Sequence, residues 1–571
     1  MKMLTTTILC ATCATIALSA HPAAAAVEIA HHDAAQLALA ETSSSRTAAA
    51  FCRYVWIDDG SKRDGSAVMW AMNAAMSRST TIVHPELLSG GRVQRWDMRR
   101  LAPDDDDLLE LLELWDSKFL PIEPYFHVTL FENEKRTERV KITVPRYRAR
   151  NPDGTITWYD WKWEDREIPA SGTVRDWSLH VGKNLALSLS QFTESEVPIV
   201  RHDWLLNYLL STLDGGLYYE FRGIKRNPSN PTNGNGATTN TAQDAFLASL
   251  GASVSQVAAL RSDERAAIFR SGVSGKERRI DVFYGVGVRP SQGIPLVTLT
   301  HDIFDEDRDP NRSPIYNLLD FEDRAVEAIG LLPNGLQVYA LFNDRGELQD
   351  SVPDNIAIDH TIPASVGTAR LQPGISCIRC HGPHDGYQPF QNDVQTLLAG
   401  TLDVFDDAGD PRLGVDDALD RLAGLYSGDL SEPIRQARNG YSLATYRASG
   451  GMTVPQVSLA VSEVYQRYAY DQVTTAQACR DLGYVVEEGP EAVRRFQELL
   501  PHLPANLDGI ALEDPIIGAL RVGMPVSRKN WEHVFADASV RSIAAMSGRE
   551  EQGEQQQQQQ PNQPQQGERT Q

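Results

Sequence analysis

Positive charge is in short supply in this sequence. Across 571 residues, 54 Lys and Arg face 76 Asp and Glu, for a net charge of -22. A phosphate backbone needs Lys and Arg opposite it, so no nucleic-acid partner is expected. An anionic membrane surface repels such a chain as well. Long apolar runs are also missing. Beyond the amino terminus, no stretch approaches the roughly 20 apolar residues of a membrane-spanning helix. There is no internal repeat, no Gly-rich dinucleotide loop and no convincing nucleophile constellation. Cysteine is sparse, with six in the chain, and only one CxxC remains after the amino terminus. A structural zinc site commonly draws four ligands from two such pairs or from a finger-spaced His pair, and neither is present.

What is there begins with MKMLTTTILCATCATIALSAHPAAAAVEIA. Lys2 supplies a short positive start, Leu4 to Ala20 a weakly apolar run, and Ala23 to Ala26 small-x-small cleavage sites. This pattern predicts a signal peptide over 1–26 and an exported protein, periplasmic or in another extracytoplasmic compartment. No transmembrane span is expected after cleavage. Cys10 and Cys13 lack the leucine-small-small triplet of a lipid-anchored cysteine. Beyond them stand Cys52, Cys377, Cys380 and Cys479. In an oxidising compartment, Cys52 and Cys479 could form a bridge tying the first region to the last. Equally, both are read as buried thiols acting as small hydrophobes.

Such a length suggests roughly two to four domains. Residues 27–50 read as a flexible linker. A mixed α/β domain is expected over 51–225, opening on the strand FCRYVWIDD and the helical GSAVMWAMNAAMS. In that helix, Met69, Met72 and Met76 are expected in the core rather than on a metal. VQRWDMRRL reads as a second strand. APDDDDLLELLELWDSKFL reads as a helix start, with Asp104 to Asp107 at the positive end of its dipole. Aromatic, alternating stretches between Glu123 and Ile168 predict sheet. Residues 226–243 read as a linker. A helical and strand connecting region follows over 244–330, with DAFLASLGASVSQVAALRSDERAAIFRSG expected as short helices. HDIFDEDRDPNRSP is no calcium loop, since Pro310 and Tyr316 stand where an EF-hand needs Gly and Glu. LQVYALFNDRGELQDS predicts a hairpin. The Gln-rich tail, 548–571, lacks core formers and is expected to be disordered.

One motif carries chemistry. In LQPGISCIRCHGPHDGYQPF, Cys377 and Cys380 are two residues apart and His381 follows at once. Two thiols at this spacing can add across the vinyl groups of a porphyrin, and the next residue then brings an imidazole to the iron. A dithiol redox pair would follow a strand and open a helix in a βαβ unit. Pro373, Gly374, Gly382 and Pro383 predict a loop instead. The motif therefore predicts one covalent haem c, with Cys377 and Cys380 as thioether anchors and His381 as axial metal ligand. The distal ligand stays open: Met452 in a loop between helices, Met524, or a histidine such as His360 or His502. His384 is too near His381 to reach the opposite face easily.

The chain resembles a group of large, exported, single-haem cytochrome-c-domain proteins of planctomycete type. The resemblance rests on EPYFH at 123–127, VPIVRHDWLLNYLL at 197–210, FRSGVSGKERRIDVFYG at 269–285, LLPNGLQVYALFNDRGELQDS followed by GISCIRCHG, and QRYAYDQVTTAQACRDLG. It implies haem c and no named reaction. Arg201, Asp203 and Trp204 are read as a structural pair and a core aromatic, and Lys276 to Arg279 as a solvated face. The expected fold class is α+β: a mixed strand/helix amino-terminal region, then a mainly helical cytochrome-c-like haem region over 331–547. The expected function is one-electron transfer with a redox partner protein or a small redox molecule. The alternatives are a haem-c-dependent oxidoreductase, peroxidase- or dehydrogenase-like, and a haem-based redox or gas sensor. A di-haem peroxidase is excluded, because it needs a second CxxCH.

Overall fold

The computed structural model describes residues mainly within 49–119, 193–226, 241–268, 277–302, 315–352, 370–394, 422–501 and 514–542, with gaps inside these ranges, and strands within 130–165. The signal peptide, nearly all of the 27–50 linker, most of the 226–243 linker, EPYFH, His360, His502, Met546 and the Gln-rich tail lie outside the described residues. Among the described residues, strands and helices are mixed up to Phe342, and beyond it helices dominate. No helix among the described residues is long and apolar enough to cross a membrane.

The first sheet has the order β2-β3-β1-β9, from β1 (Cys52–Trp56), β2 (Glu86–Leu88), β3 (Val93–Asp97) and β9 (Ile199–Arg201). Every residue of β1 is buried, as its central place between antiparallel β3 and parallel β9 requires. Strands β4 (Leu130–Glu134), β5 (Thr137–Lys141) and β8 (Glu164–Asp165) form a three-stranded sheet, and β6 (Arg148–Arg150) and β7 (Ile156–Trp158) a two-stranded one. Helix α1 (Lys62–Ala71) starts at Ser61, whose hydroxyl accepts from the Asp64 N–H, and runs into a π-helical turn, Met72–Met76. Met72 and Met76 are fully buried, and Met69 packs against the same core. The strand expected through Leu101 stops at Asp97. There the carboxylate accepts from the Arg99 N–H and starts a short helix, α2 (Met98–Leu101). Helix α3 (Asp105–Phe119) is capped by Asp104, which accepts from the Asp107 N–H at 2.9 Å. It buries Leu108, Leu111, Leu112, Trp115 and Phe119, a stripe at helical spacing. Helix α4 (His202–Leu209) follows β9 directly, and α5 (Tyr218–Phe221) follows α4.

The second sheet is an antiparallel meander of five strands in sequence order: β10 (Arg265–Ile268), β11 (Arg278–Phe283), β12 (Val297–Asp302), β13 (Ala325–Leu331) and β14 (Gln337–Phe342). It lies beyond α6 (Ala242–Ser249), which carries a Thr241–Asp244 capping box. Arg265–Ile268 is thus a strand rather than a helix. Pairing with β11 and burial of Arg265 to Ala267 outweigh the local alanine preference. Edge strand β14 has its outer N–H groups satisfied: those of Tyr339 and Leu341 donate to the hydroxyls of Tyr218 and Tyr219, at 2.9 and 3.2 Å.

One hydrophobic cluster takes residues from Val55 to Tyr468, and a separate one from Val473 to Ala538. The boundary expected at 330/331 falls inside β13, whose hairpin partner β14 lies beyond it. The CxxCH region therefore shares a core with the strands before it. The second cluster is built on α10 (Thr475–Asp481), α11 (Pro490–Leu499) and α12 (Pro515–Arg521), with β15 (Gln472–Val473) pairing β16 (Val526–Ser527). Cys479 is a buried thiol in that cluster, its Sγ 3.8 Å from the Ala492 carbonyl. Cys52 is buried in a third cluster with Tyr54 and Trp56. No disulfide joins them, so the bridge reading gives way to the buried-thiol one.

Candidate functional site

The CxxCH is helical rather than a loop. Ile375–His381 forms a seven-residue helix, α7. Glycine lets the chain enter it: Gly374 has φ 83°, and a Cβ there would lie 2.4 Å from the Leu210 carbonyl oxygen. That same carbonyl accepts from the Ile375 N–H at 2.8 Å, docking α7 onto the end of α4. Just upstream, Gln372 Oε1 accepts from Ser211 Oγ, Thr212 N and Leu213 N. The Pro and Gly residues that predict a loop are thus the fittings of a short, buried helix.

The other end of α7 is held by a helical hairpin, α8 (Ser431–Ala448) and α9 (Val454–Tyr470). Gly382 lies against α9, where a Cβ would stand 2.3 Å from Ser458 Cβ. Ser458 Oγ donates to the Ile378 carbonyl at 3.0 Å. Arg379 donates to Ser462 Oγ at 3.3 Å, and its guanidinium sits 4.8 Å from the Tyr465 ring centre. The Cys380 carbonyl accepts from Gln388 Nε2 at 2.6 Å.

Positions 377, 380 and 381 are i, i+3 and i+4 on this helix, so the two thiols and the imidazole share one face. Cys377 and His381 are buried, and Cys380 is half-buried. Facing them is the meander. Glu327 of β13 places Oε1 3.1 Å from His381 Nε2 and 4.0 Å from Cys377 Sγ. The Tyr339 ring of β14 lies 6.1 Å from the imidazole, tilted 31°. His381 Nδ1 is buried and has no hydrogen-bond partner among the described residues.

Burial pushes the Glu327 carboxyl up, but the His381 charge and hydrogen bond, with Arg278, outweigh it and hold the group below its usual value. The Cys377 thiol is pushed well above its usual value by burial first, then by Glu327 and Cys380. A redox dithiol depends on a lowered thiol pKa, and the adjoining sheet is antiparallel, with no βαβ unit at the motif among the described residues. Among the described residues, no group of three or more His, Cys, Asp and Glu side chains is arranged to hold a metal ion directly. A covalent haem c asks for something else: two thiols and an imidazole on one turn, which Cys377, Cys380 and His381 supply; Nε2 of that imidazole is held by Glu327.

The distal candidates are spread out. Met452 lies in the loop between α8 and α9, half-buried against the large cluster, with its N–H donating to Ser449 Oγ at 2.9 Å. The neighbouring Gly450 packs on Met69. Met524 is 60% exposed, beside α12. His384 is exposed. Arg201 and Asp203 form an ion pair at 2.7 Å, and Trp204 is buried, as the structural reading has it. The solvated face expected at Lys276 to Arg279 is corrected for its last residues. Arg278 pairs with Asp302 at 2.5 Å, and the buried Arg279 with Asp281 at 3.0 Å, because both lie on a central strand of the meander. Sequence reasoning missed Glu327. Its signal is a lone charge in the otherwise apolar AVEAIGL. Compared with known proteins, the chain matches no family model, no curated protein and no solved structure.

Proposed function

We propose that this chain is an exported c-type cytochrome with one covalent haem c, working in one-electron transfer with a redox protein or small redox molecule. Cys377 and Cys380 would hold the group as thioethers, and His381 would be its axial ligand. The observation that carries the reading is the shared helical face of these three side chains, with Cys377 and His381 buried. When bound, haem c supplies an iron that cycles between ferric and ferrous states. The chain's own work is positional. The Leu210 carbonyl and the Ser458 hydroxyl fix both ends of α7, and the shared cluster keeps water from the Cys377 and His381 side of the site. Cys380, the more open of the two cysteines, marks the side on which electrons would cross to a partner. Export rests on the amino-terminal pattern, and the cytochrome-c-like character of the region belongs to this proposal.

The test is haem staining of the denatured full chain and a pyridine haemochrome spectrum, after co-expression with a haem c maturation system. A stained band with a c-type spectrum is expected, lost in Cys377→Ser. An unstained wild-type band sinks the reading. Glu327, an acidic group within the site, favours a second reading as a haem-dependent oxidoreductase or sensor. Fast carbon monoxide binding to the reduced protein would select that one.

A further inference from the structure

The chemistry-bearing side chains of α7 do not stand open. His381 points its outer ring nitrogen, Nε2, at the meander, where the Glu327 carboxylate accepts its N–H at 3.1 Å. The same oxygen lies 4.0 Å from Cys377 Sγ. Cys377 is only 8% exposed, whereas Cys380 is half-buried. Glu327 thus covers two of the three groups that a porphyrin would use, and an iron that takes Nε2 must displace it.

One side of this contact is built to stay and the other to move. Both ends of α7 are fixed: the Leu210 carbonyl accepts from the Ile375 N–H at 2.8 Å, and the Ser458 hydroxyl donates to the Ile378 carbonyl at 3.0 Å. Glu327, by contrast, is a long, flexible side chain with 24% of its surface in water. Its carboxylate can turn outward without leaving a charge buried and unpaired. A second seat is at hand. Arg278 and Asp302 are paired across from each other on the same sheet face, two positions along from the row of Glu327. The Arg278 charge already acts on Glu327. We propose that Glu327 is a lock on the motif: turned in, it holds the His381 imidazole and covers the Cys377 thiol, and turned out toward Arg278, it frees both. This rests on the haem reading above, since haem is what the open form admits.

The experiment labels the folded full chain, made without haem, with a small maleimide and reads each cysteine by peptide mass spectrometry. In the wild type, Cys380 should react faster than Cys377, and Cys479, buried in the second cluster, should stay silent. Glu327→Asp keeps the charge but is one methylene too short for the bond. It should speed Cys377 by about tenfold or more, as the loss of a charge-assisted hydrogen bond predicts, with Cys479 still silent. An unchanged Cys377 rate overturns the lock. Haemin, titrated into the same two proteins and followed in the Soret band, should bind the Asp variant about tenfold more tightly. Equal affinities overturn the hold on His381. Should neither protein bind haemin or gain haem from a maturation system, the haem reading falls, while the labelling still decides the lock. If Cys479 reacts in the variant, the fold itself has opened, and wild type labelled with 15N-histidine decides instead. A His381 ring N–H shielded from exchange supports the lock, and a freely exchanging one overturns it.

Discussion

Two histidine–carboxylate pairs stand on the meander with nearly the same separation: His301 Nε2 lies 3.2 Å from Asp281, and His381 Nε2 lies 3.1 Å from Glu327. Strand register puts them on opposite faces. Glu327 stands across from Thr300, which stands across from Ile280, whereas Asp281 stands across from Leu299. The difference lies in the company each carboxylate keeps. Asp281 is fully buried and is met by Arg279 of its own strand at 3.0 Å and by Arg265 of the adjacent β10 at 3.6 Å. Burial works to raise its carboxyl, but Arg279, His301 and Arg265 overcome this and hold it down to about 2. Glu327 is a quarter exposed and reaches out of the sheet to a helix bearing two cysteines. The first pair is closed within its own sheet and serves the architecture. The second joins the sheet to the helix that carries Cys377 and Cys380.

Replacing each carboxylate by its amide should separate the two most sharply. Asp281→Asn leaves two buried guanidiniums short of a counter-charge, and a broken buried pair costs about 3–5 kcal/mol. Glu327→Gln should cost at most about 2 kcal/mol, the worth of one charge-assisted hydrogen bond. Urea unfolding of both variants measures this, and equal losses would erase the distinction. Acid sharpens it. The Asp281 carboxyl is depressed from its ordinary 3.8 to about 2. Its contribution is therefore complete above about pH 4 and is lost as the pH falls toward 2. Asp281→Asn should remove that part of the acid dependence.

How far each pair was legible follows from the same contrast. Cys377, Cys380 and His381 fall within five consecutive residues, so their grouping stands in the string itself. The capped start of α3 and the strand at Cys52–Trp56 were equally local. Glu327 becomes a site residue only when β13 is folded against α7, and no local rule joins positions that far apart. The same holds for Arg265–Ile268, a strand because β11 pairs with it, and for Arg279, buried because Asp281 is beside it on the strand face. The glycines around the motif misled for a different reason. Gly374 and Gly382 mark close approaches of α7 to α4 and α9, and close approach looks like a loop when only one chain segment is in view.

Gly382→Ala tests whether that approach is what holds the site. The added methyl would meet Ser458 Cβ at 2.3 Å, and forcing such contacts costs about 1–3 kcal/mol. Stability should fall by that amount, and haem loading per mole of protein should fall with it. Gly424 provides the contrast, since a Cβ there meets nothing within 4 Å. Gly424→Ala, on a short helical stretch, should be stabilising by about 0.5–1 kcal/mol with loading unchanged. If both variants load equally, the α7–α9 contact is not what positions the motif.

The smallest effect expected separates the two clusters rather than the two pairs. Met524 is 60% exposed beside the second cluster, while Met452 is packed against the first, which also contains Cys377. On the haem reading proposed above, a methionine packed against the cluster that holds Cys377 would be the better placed of the two. Met524→Leu should therefore leave the oxidised spectrum unchanged and alter stability by less than about 0.5 kcal/mol, as surface substitutions do. If the wild type has a methionine-to-iron charge-transfer band, Met452→Leu should remove it. A band lost in Met524→Leu instead would require the second cluster to fold over the site, and the separation of the two clusters would then be incomplete.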